Sequence, residues 1–189
     1  MSIEFTGDKA AYTRAILEAS PPRNATLEDV EAIAALDRTI FASYGPTMGR
    51  WRIADAIRQN PAGMQVLELD GNLAGTIYGQ LIESPNFEGR AYGEVTSIGI
   101  AEEYRGRGIG ELLFGRMVQA MLDEQEVGTV ITGISLYTRA GNLAMQQLAE
   151  KYDFTVEQTV PSFYEFFDPP EDAYLMVLVN PASDHLSSK

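Results

Sequence analysis

Six consecutive residues, Arg105-Gly106-Arg107-Gly108-Ile109-Gly110, bring together the groups that hold a diphosphate. Glycines tolerate positive φ and let successive main-chain N–H groups converge on phosphate oxygens, and a helix starting in such a turn adds the positive end of its dipole. Arg105 and Arg107 supply two cations in a chain whose formal charge is -13. Other sources of chemistry are few. Cysteine is absent and the one histidine, His185, lies in a Pro/Ser/Asp-containing tail. That disfavours thiolate nucleophiles, Ser-His-Asp hydrolysis and His-ligated zinc. Carboxylates, tyrosines, backbone groups and a bound cofactor remain, and no metal is expected.

Such a turn has to be placed by a strand that delivers it and a helix that leaves it. Tyr92 to Ile100 reads as an apolar, β-branched strand, and from Gly108 onward Leu112, Leu113, Phe114, Met117, Val118, Met121 and Leu122 outline a helix ending near Glu124. Upstream, Asp8 to Ala19 suits a short helix stopped by Ser20-Pro21-Pro22, with a first strand over Arg14 to Ala19 as the alternative. Thr26 and Asp29 form a capping-box-like start to a helix through Phe41, and Met48 to Gln59 reads as a second helix. Met64–Leu69 and Leu73–Ile82 flank Asp70-Gly71-Asn72, a strong hairpin signal. Downstream follow a strand over Thr129 to Tyr137, nearly all apolar as if covered on both faces, and a helix over Asn142 to Tyr152. Strands over Phe154–Val160 and Ala173–Val179 close the chain. The order implies a mixed α/β fold with a β-α-β unit at its centre.

Length and composition fit one soluble domain: 189 residues, 45% apolar and 22% charged. With 27 acidic against 14 basic residues, the surface repels nucleic acid and anionic lipid and favours cationic partners, although acidity also serves solubility alone. The N-terminus lacks a basic segment followed by an apolar run, and no stretch of about 18 apolar residues occurs, so a cytoplasmic protein is expected. Two nucleotide folds fit the turn poorly. A Rossmann fingerprint needs a third glycine where Glu111 stands, and a Walker A loop needs Gly-Lys-Ser/Thr, which is missing.

The string resembles motif A of the GNAT superfamily, R/Q-x-x-G-x-G/A, with Arg105, Gly108 and Gly110 on its defining positions. S-I-G-I-A-E-E-Y-R-G-R-G-I-G resembles that family's fourth strand and pyrophosphate loop. L-Y-T-R-A-G-N-L-A-M-Q-Q-L-A-E-K-Y-D-F resembles its fifth strand and following helix, and the likeness runs from about residue 22 to about 180. It implies a GNAT-like, mostly antiparallel sheet of about seven strands around a central parallel β-α-β unit, with helices on both faces. It also implies a domain over residues 22–180, an N-terminal extension over 1–21 and a flexible tail over 181–189.

The resemblance further implies an N-acetyltransferase that moves an acetyl group from acetyl-coenzyme A to a primary amine, in a small molecule or at a peptide N-terminus. The backbone of Ile98, Gly99 and Ile100 is then expected to pair with the pantetheine arm. The N–H groups of Arg105, Gly106, Arg107, Gly108, Ile109 and Gly110 are expected to hold the pyrophosphate. Asn142 matches the family's helix-start asparagine, which commonly contacts the cofactor; an N-cap is the alternative role.

Acyl transfer needs a neutral amine, a polarised thioester carbonyl and a thiolate that can leave. Deprotonating a lysine-like amine of pKa ~10.4 at pH 7 costs ~4.6 kcal/mol, against about 1.4 kcal/mol for an α-amine near pKa ~8. Glu94 holds the offset before Arg105 at which the histone-acetyltransferase branch places its general base. Partial burial among Tyr92, Val95 and Ile98 is expected to suit it to that role. An N–H on the fourth strand, such as that of Ile100, is expected to polarise the carbonyl. Where many relatives carry a tyrosine acid this chain has Ala149, so Tyr152 and Tyr164 are the candidate replacements, and Asp153-Phe154 replaces the usual Gly-Phe. A thiol of pKa ~8.5 leaving as thiolate at pH 7 costs only about 2 kcal/mol, so solvent is also an adequate acid.

Acceptor recognition falls to Phe41–Trp51, Glu83–Arg90 and Ser162–Asp172. Phe163, Tyr164, Phe166 and Phe167 equally suit a covered sheet edge or a homodimer contact. The rival function is a coenzyme A-binding module without turnover, to which Ala149 points.

Overall fold

Asp8 starts the first helix: its carboxylate accepts hydrogen bonds from the N–H groups of Ala10 (3.0 Å) and Ala11 (3.1 Å), satisfying donors that a helix leaves open. Helix α1 (Lys9–Ala19) ends at Ser20, ahead of two prolines, and buries Tyr12 and Ile16, one turn apart. The computed structural model describes residues 7–41, 47–83, 90–123 and 130–180. The tail with His185, and most of the Glu83–Arg90 loop, lie outside the described residues.

A two-residue strand that the sequence reading did not anticipate, β1 (Arg23–Asn24), pairs antiparallel with β2 (Met64–Leu69). The Thr26–Asp29 signal produces a 3-10 turn (Leu27–Asp29) leading into α2 (Val30–Phe41). The Asp29 carboxylate accepts from Thr26 N (2.6 Å) and receives both Arg23 guanidinium nitrogens, at 2.7 and 2.8 Å. These donors hold its pKa down at about 2, the Arg23 hydrogen bond foremost and burial opposing it. Helix α3 (Arg50–Gln59) begins at Gly49 and is tied to α2 by Met48 N, which donates to the buried Asp37 at 2.8 Å.

Strands β2 and β3 (Asn72–Glu83) form the expected hairpin. Asp70 (φ 52°) and Gly71 (φ 77°) both take left-handed backbone, as a two-residue turn matched to strand twist requires. Strand β4 (Arg90–Ile100), a 3-10 turn (Glu102–Tyr104), α4 (Ile109–Asp123) and β5 (Val130–Arg139) make the β-α-β unit. Helix α5 (Leu143–Glu150), β6 (Thr155–Tyr164) and β7 (Glu171–Val179) complete a sheet of order β1-β2-β3-β4-β5-β7-β6. Seven strands, mostly antiparallel and with β4 and β5 parallel, agree with the expected class.

Strand β5 is buried or half-buried throughout except at one residue. Ile131, Ile134, Leu136 and Thr138 are buried, while Tyr137 is 41% exposed. Strand β6 extends to Tyr164, past a register shift after Val160 where Ser162 takes φ 54°.

The chain divides into two compact units, Met1–Tyr78 with Ser97–Met117, and Gly79–Thr96 with Val118–Lys189. The first has a core of Ala25, Ile33, Ala34, Ile53, Ile57, Met64 and Val66. In the second, Ile131, Ile134, Leu136, Ala149, Phe154 and Met176 are buried. Among the described residues, no helix is long and apolar enough to cross a membrane.

Candidate active site

In the first unit, the glycine string forms the turn that its composition implies. Gly106 (φ 76°) and Gly108 (φ 88°) are left-handed, which residues with a Cβ adopt only at a cost of roughly 1–2 kcal/mol. A Cβ on Gly106 would meet nothing within 4 Å, whereas one on Gly108 would stand 2.9 Å from Thr13 Oγ1 of α1. Ile109 is buried (1% exposed) and anchors the start of α4. The first N–H groups of a helix have no intrahelical acceptors, and a helix N-terminus generally favours anions. The two arginines differ. Arg105 is exposed and its Nε donates to the Ile100 carbonyl at 3.2 Å. Arg107 is half-buried, its guanidinium carbon 5.5 Å from the Tyr104 ring centroid and 6.0 Å from that of Tyr12.

Strand β4 brings Ile98, Gly99 and Ile100 up to this turn. Gly99 packs closely, since a Cβ there would lie 2.8 Å from Ile40 Cδ1 and push that side chain aside. In the second unit the parallel β4–β5 ladder runs from Arg90↔Val130 to Val95↔Leu136, while β4 itself continues to Ile100.

Glu94 lies in the second unit, opposite Ser135 in that ladder, and is half-buried. Gln80 Nε2 of β3 donates to Glu94 Oε2 at 3.4 Å. By the pleat, Tyr92, Thr96 and Ile98 share its face, and the buried Val95 points the other way. Val95 is therefore not among its surroundings, contrary to the sequence reading.

Asn142 caps α5, its side-chain oxygen accepting from Met145 N at 3.2 Å, so the cap role is realised. Ala149 is completely buried. Asp153 adopts φ 61° in place of the usual glycine, and Phe154 behind it is buried with its N–H on the Ala149 carbonyl (3.2 Å). Tyr152 is half-buried in the turn that ends α5.

Tyr164 belongs to an aromatic row at the end of β6. Tyr137 and Phe163 stack with centroids 5.0 Å apart, Phe163 meets Tyr164 edge-on at 5.1 Å, and Tyr164 meets Phe167 edge-on at 6.5 Å. Burial pushes the Tyr164 phenol up, with nearby Arg139 opposing and Glu171 adding to the rise, so it stays protonated at neutral pH. Arg139 and Glu171 were not anticipated from the sequence. Their ion pair (2.9 Å) sits under Phe167, and Glu171 Oε1 also accepts from Gly141 N at 2.6 Å, closing the β5–α5 turn. Nothing local marked them, because the partners come from distant strands.

Residues 30–154 match the model of the acetyltransferase (GNAT) family. The chain belongs to that family. As a GNAT acetyltransferase it is an acyltransferase that draws on acetyl-coenzyme A. Among curated relatives, an N-alpha-acetyltransferase of Sulfurisphaera tokodaii is 28% identical over 161 residues, covering 82% of this chain and 89% of that one. A Bacillus subtilis protein named for N-acetylation of alanine on ribosomal protein bS18 is 27% identical, covering 82% of this chain and 91% of the relative. The GNAT fold is matched by Chaetomium thermophilum Naa20, solved in complex with a bisubstrate analogue, at TM-score 0.72 and 23% identity over 87% of this chain and 89% of that one.

Proposed function

We propose that this GNAT acetyltransferase acetylates the α-amine of a protein or peptide N-terminus by direct attack on the thioester of acetyl-coenzyme A. The observation that carries the reading is the left-handed glycine turn at the head of α4, reached by a strand whose ladder with β5 ends at Val95 while its main chain runs on to Ile100. Main-chain groups of Ile98, Gly99 and Ile100 pair with the pantetheine amides, and the N–H groups of residues 105–110 with Arg107 neutralise the diphosphate. Two relatives named for α-amine and alanine N-acetylation support the acceptor class. So does the smaller deprotonation cost of an α-amine, about 1.4 kcal/mol at pH 7 against ~4.6 for a lysine side chain.

Glu94 accepts a proton from the incoming amine, directly or through water. The nitrogen lone pair forms the new C–N bond at the thioester carbon, and the Ile100 N–H stabilises the oxyanion. Collapse breaks the C–S bond and releases the thiolate, which takes its proton from Tyr164, from Tyr152 or from water. The protonated phenol of Tyr164 is fit to donate in that step. The aromatic row of Tyr137, Phe163 and Phe167 offers apolar surface to the first residues of the acceptor.

A thiol-release assay with acetyl-coenzyme A against peptides bearing free or blocked N-termini, lysine-bearing peptides and small amines tests this. Turnover confined to free α-amines is expected. Turnover on small amines alone refutes the acceptor class. A second reading, an acyl-coenzyme A-binding module without turnover, has Ala149 in its favour; tight binding with no thiol release on every acceptor would establish it.

A further inference from the structure

Helix α1 precedes the residues that match the family model, so membership in the family does not account for it. The helix is nonetheless built into the first unit. Tyr12 is 2% exposed and Ile16 fully buried, and Ser20 Oγ at its end donates to the Glu68 carbonyl at 2.7 Å. Its middle turn meets the glycine turn twice. Thr13 Oγ1 occupies the space beside Gly108, and the Tyr12 ring lies 6.0 Å from the Arg107 guanidinium, which Tyr104 approaches to 5.5 Å.

An arginine side chain has many rotamers, and ordering it on binding costs affinity. A guanidinium held beside aromatic rings has fewer rotamers left to lose when it binds. Tyr104 is itself held, its hydroxyl 3.5 Å from the Leu69 carbonyl. We propose that α1 is part of the coenzyme A site: Tyr12, together with Tyr104, sets Arg107 toward the diphosphate, and Thr13 backs Gly108. Tyr12 is thus a positioning residue that acts through Arg107. The inference rests on the reading that residues 105–110 grip the diphosphate.

The test is a double-mutant cycle on the full chain, read by calorimetric titration with coenzyme A. Tyr12→Leu is expected to weaken Kd by roughly threefold to thirtyfold, the range of a partly desolvated cation–π contact. Tyr12→Phe, which keeps the ring, is expected to restore most of that affinity. In an Arg107→Gln background the leucine is expected to cost less than about twofold, because the group it positions is gone. The KM for acetyl-coenzyme A rises in step while kcat at saturation holds. A merely structural Tyr12 would lower the melting midpoint and leave Kd unchanged. An unchanged Kd for Tyr12→Leu, or an undiminished effect without Arg107, overturns the inference. Should Tyr12→Leu fail to fold, Tyr104→Leu in the same cycle with Arg107 decides it by the same criteria. Wild-type protein that binds no coenzyme A removes the diphosphate reading as well, whereas wild-type binding with a flat cycle removes this inference alone.

Discussion

Replacing Gly106 and Gly108 separately by alanine measures how much of the cofactor affinity depends on left-handed backbone. At Gly106 (φ 76°) an added Cβ meets nothing within 4 Å, so the cost is the backbone term alone, roughly 1–2 kcal/mol. If the turn relaxes to an ordinary conformation in the free protein, that energy must be supplied again on binding, a loss of about five- to thirtyfold in Kd. At Gly108 (φ 88°) the Cβ also meets Thr13 Oγ1 at 2.9 Å, and overpacking adds about 1–3 kcal/mol. Gly108→Ala should therefore bind coenzyme A about fivefold or more less tightly than Gly106→Ala. Combining it with Thr13→Ala should recover that difference and leave only the backbone part. Calorimetric titration, with melting midpoints to separate local from global effects, reads all three variants. Equal affinities for the two glycine variants, or no recovery in the double variant, would refute the geometry on which the argument stands.

Glu94→Gln should lower kcat by roughly 10²–10⁴ with KM for acetyl-coenzyme A little changed, and steady-state rates equal to wild type would remove Glu94 from the mechanism. Ala149→Tyr should destabilise the fold by roughly 1–3 kcal/mol or more rather than supply an acid, because position 149 is fully buried, and thermal unfolding checks this. The Asp29 carboxyl, at about 2 in the fold against 3.8 unfolded, contributes stability that is complete above about pH 4 and lost as pH falls toward 2. Its size is about 2 kcal/mol at most, reduced by solvent around the 43%-exposed Arg23 side chain, and acid titration of Asp29→Asn beside wild type should show the difference vanish near pH 2.

Features that need only neighbours in the chain were legible in the sequence. The Asp70-Gly71 turn, the Thr26–Asp29 start of α2 and the glycine turn ahead of α4 each follow from dihedral preferences and hydrogen bonds spanning a few residues. Strand β1 escaped because two residues carry no periodicity, and its existence depends on pairing with β2. The exposure of Tyr137 in β5 escaped because tyrosine counts as apolar in a pattern, whether or not anything covers it.

The sequence alone determined the turn, the helices and strands around it and the family to which they belong, since those rest on local backbone energetics and on motif spacing. Only the tertiary structure decided that the β4–β5 ladder stops at Val95, that Gln80 reaches Glu94, that Arg139 meets Glu171 and that α1 lies against Arg107 and Gly108. Each of those joins residues far apart in the chain. Their contacts form only where burial of the cores brings the elements together, and no local preference encodes that.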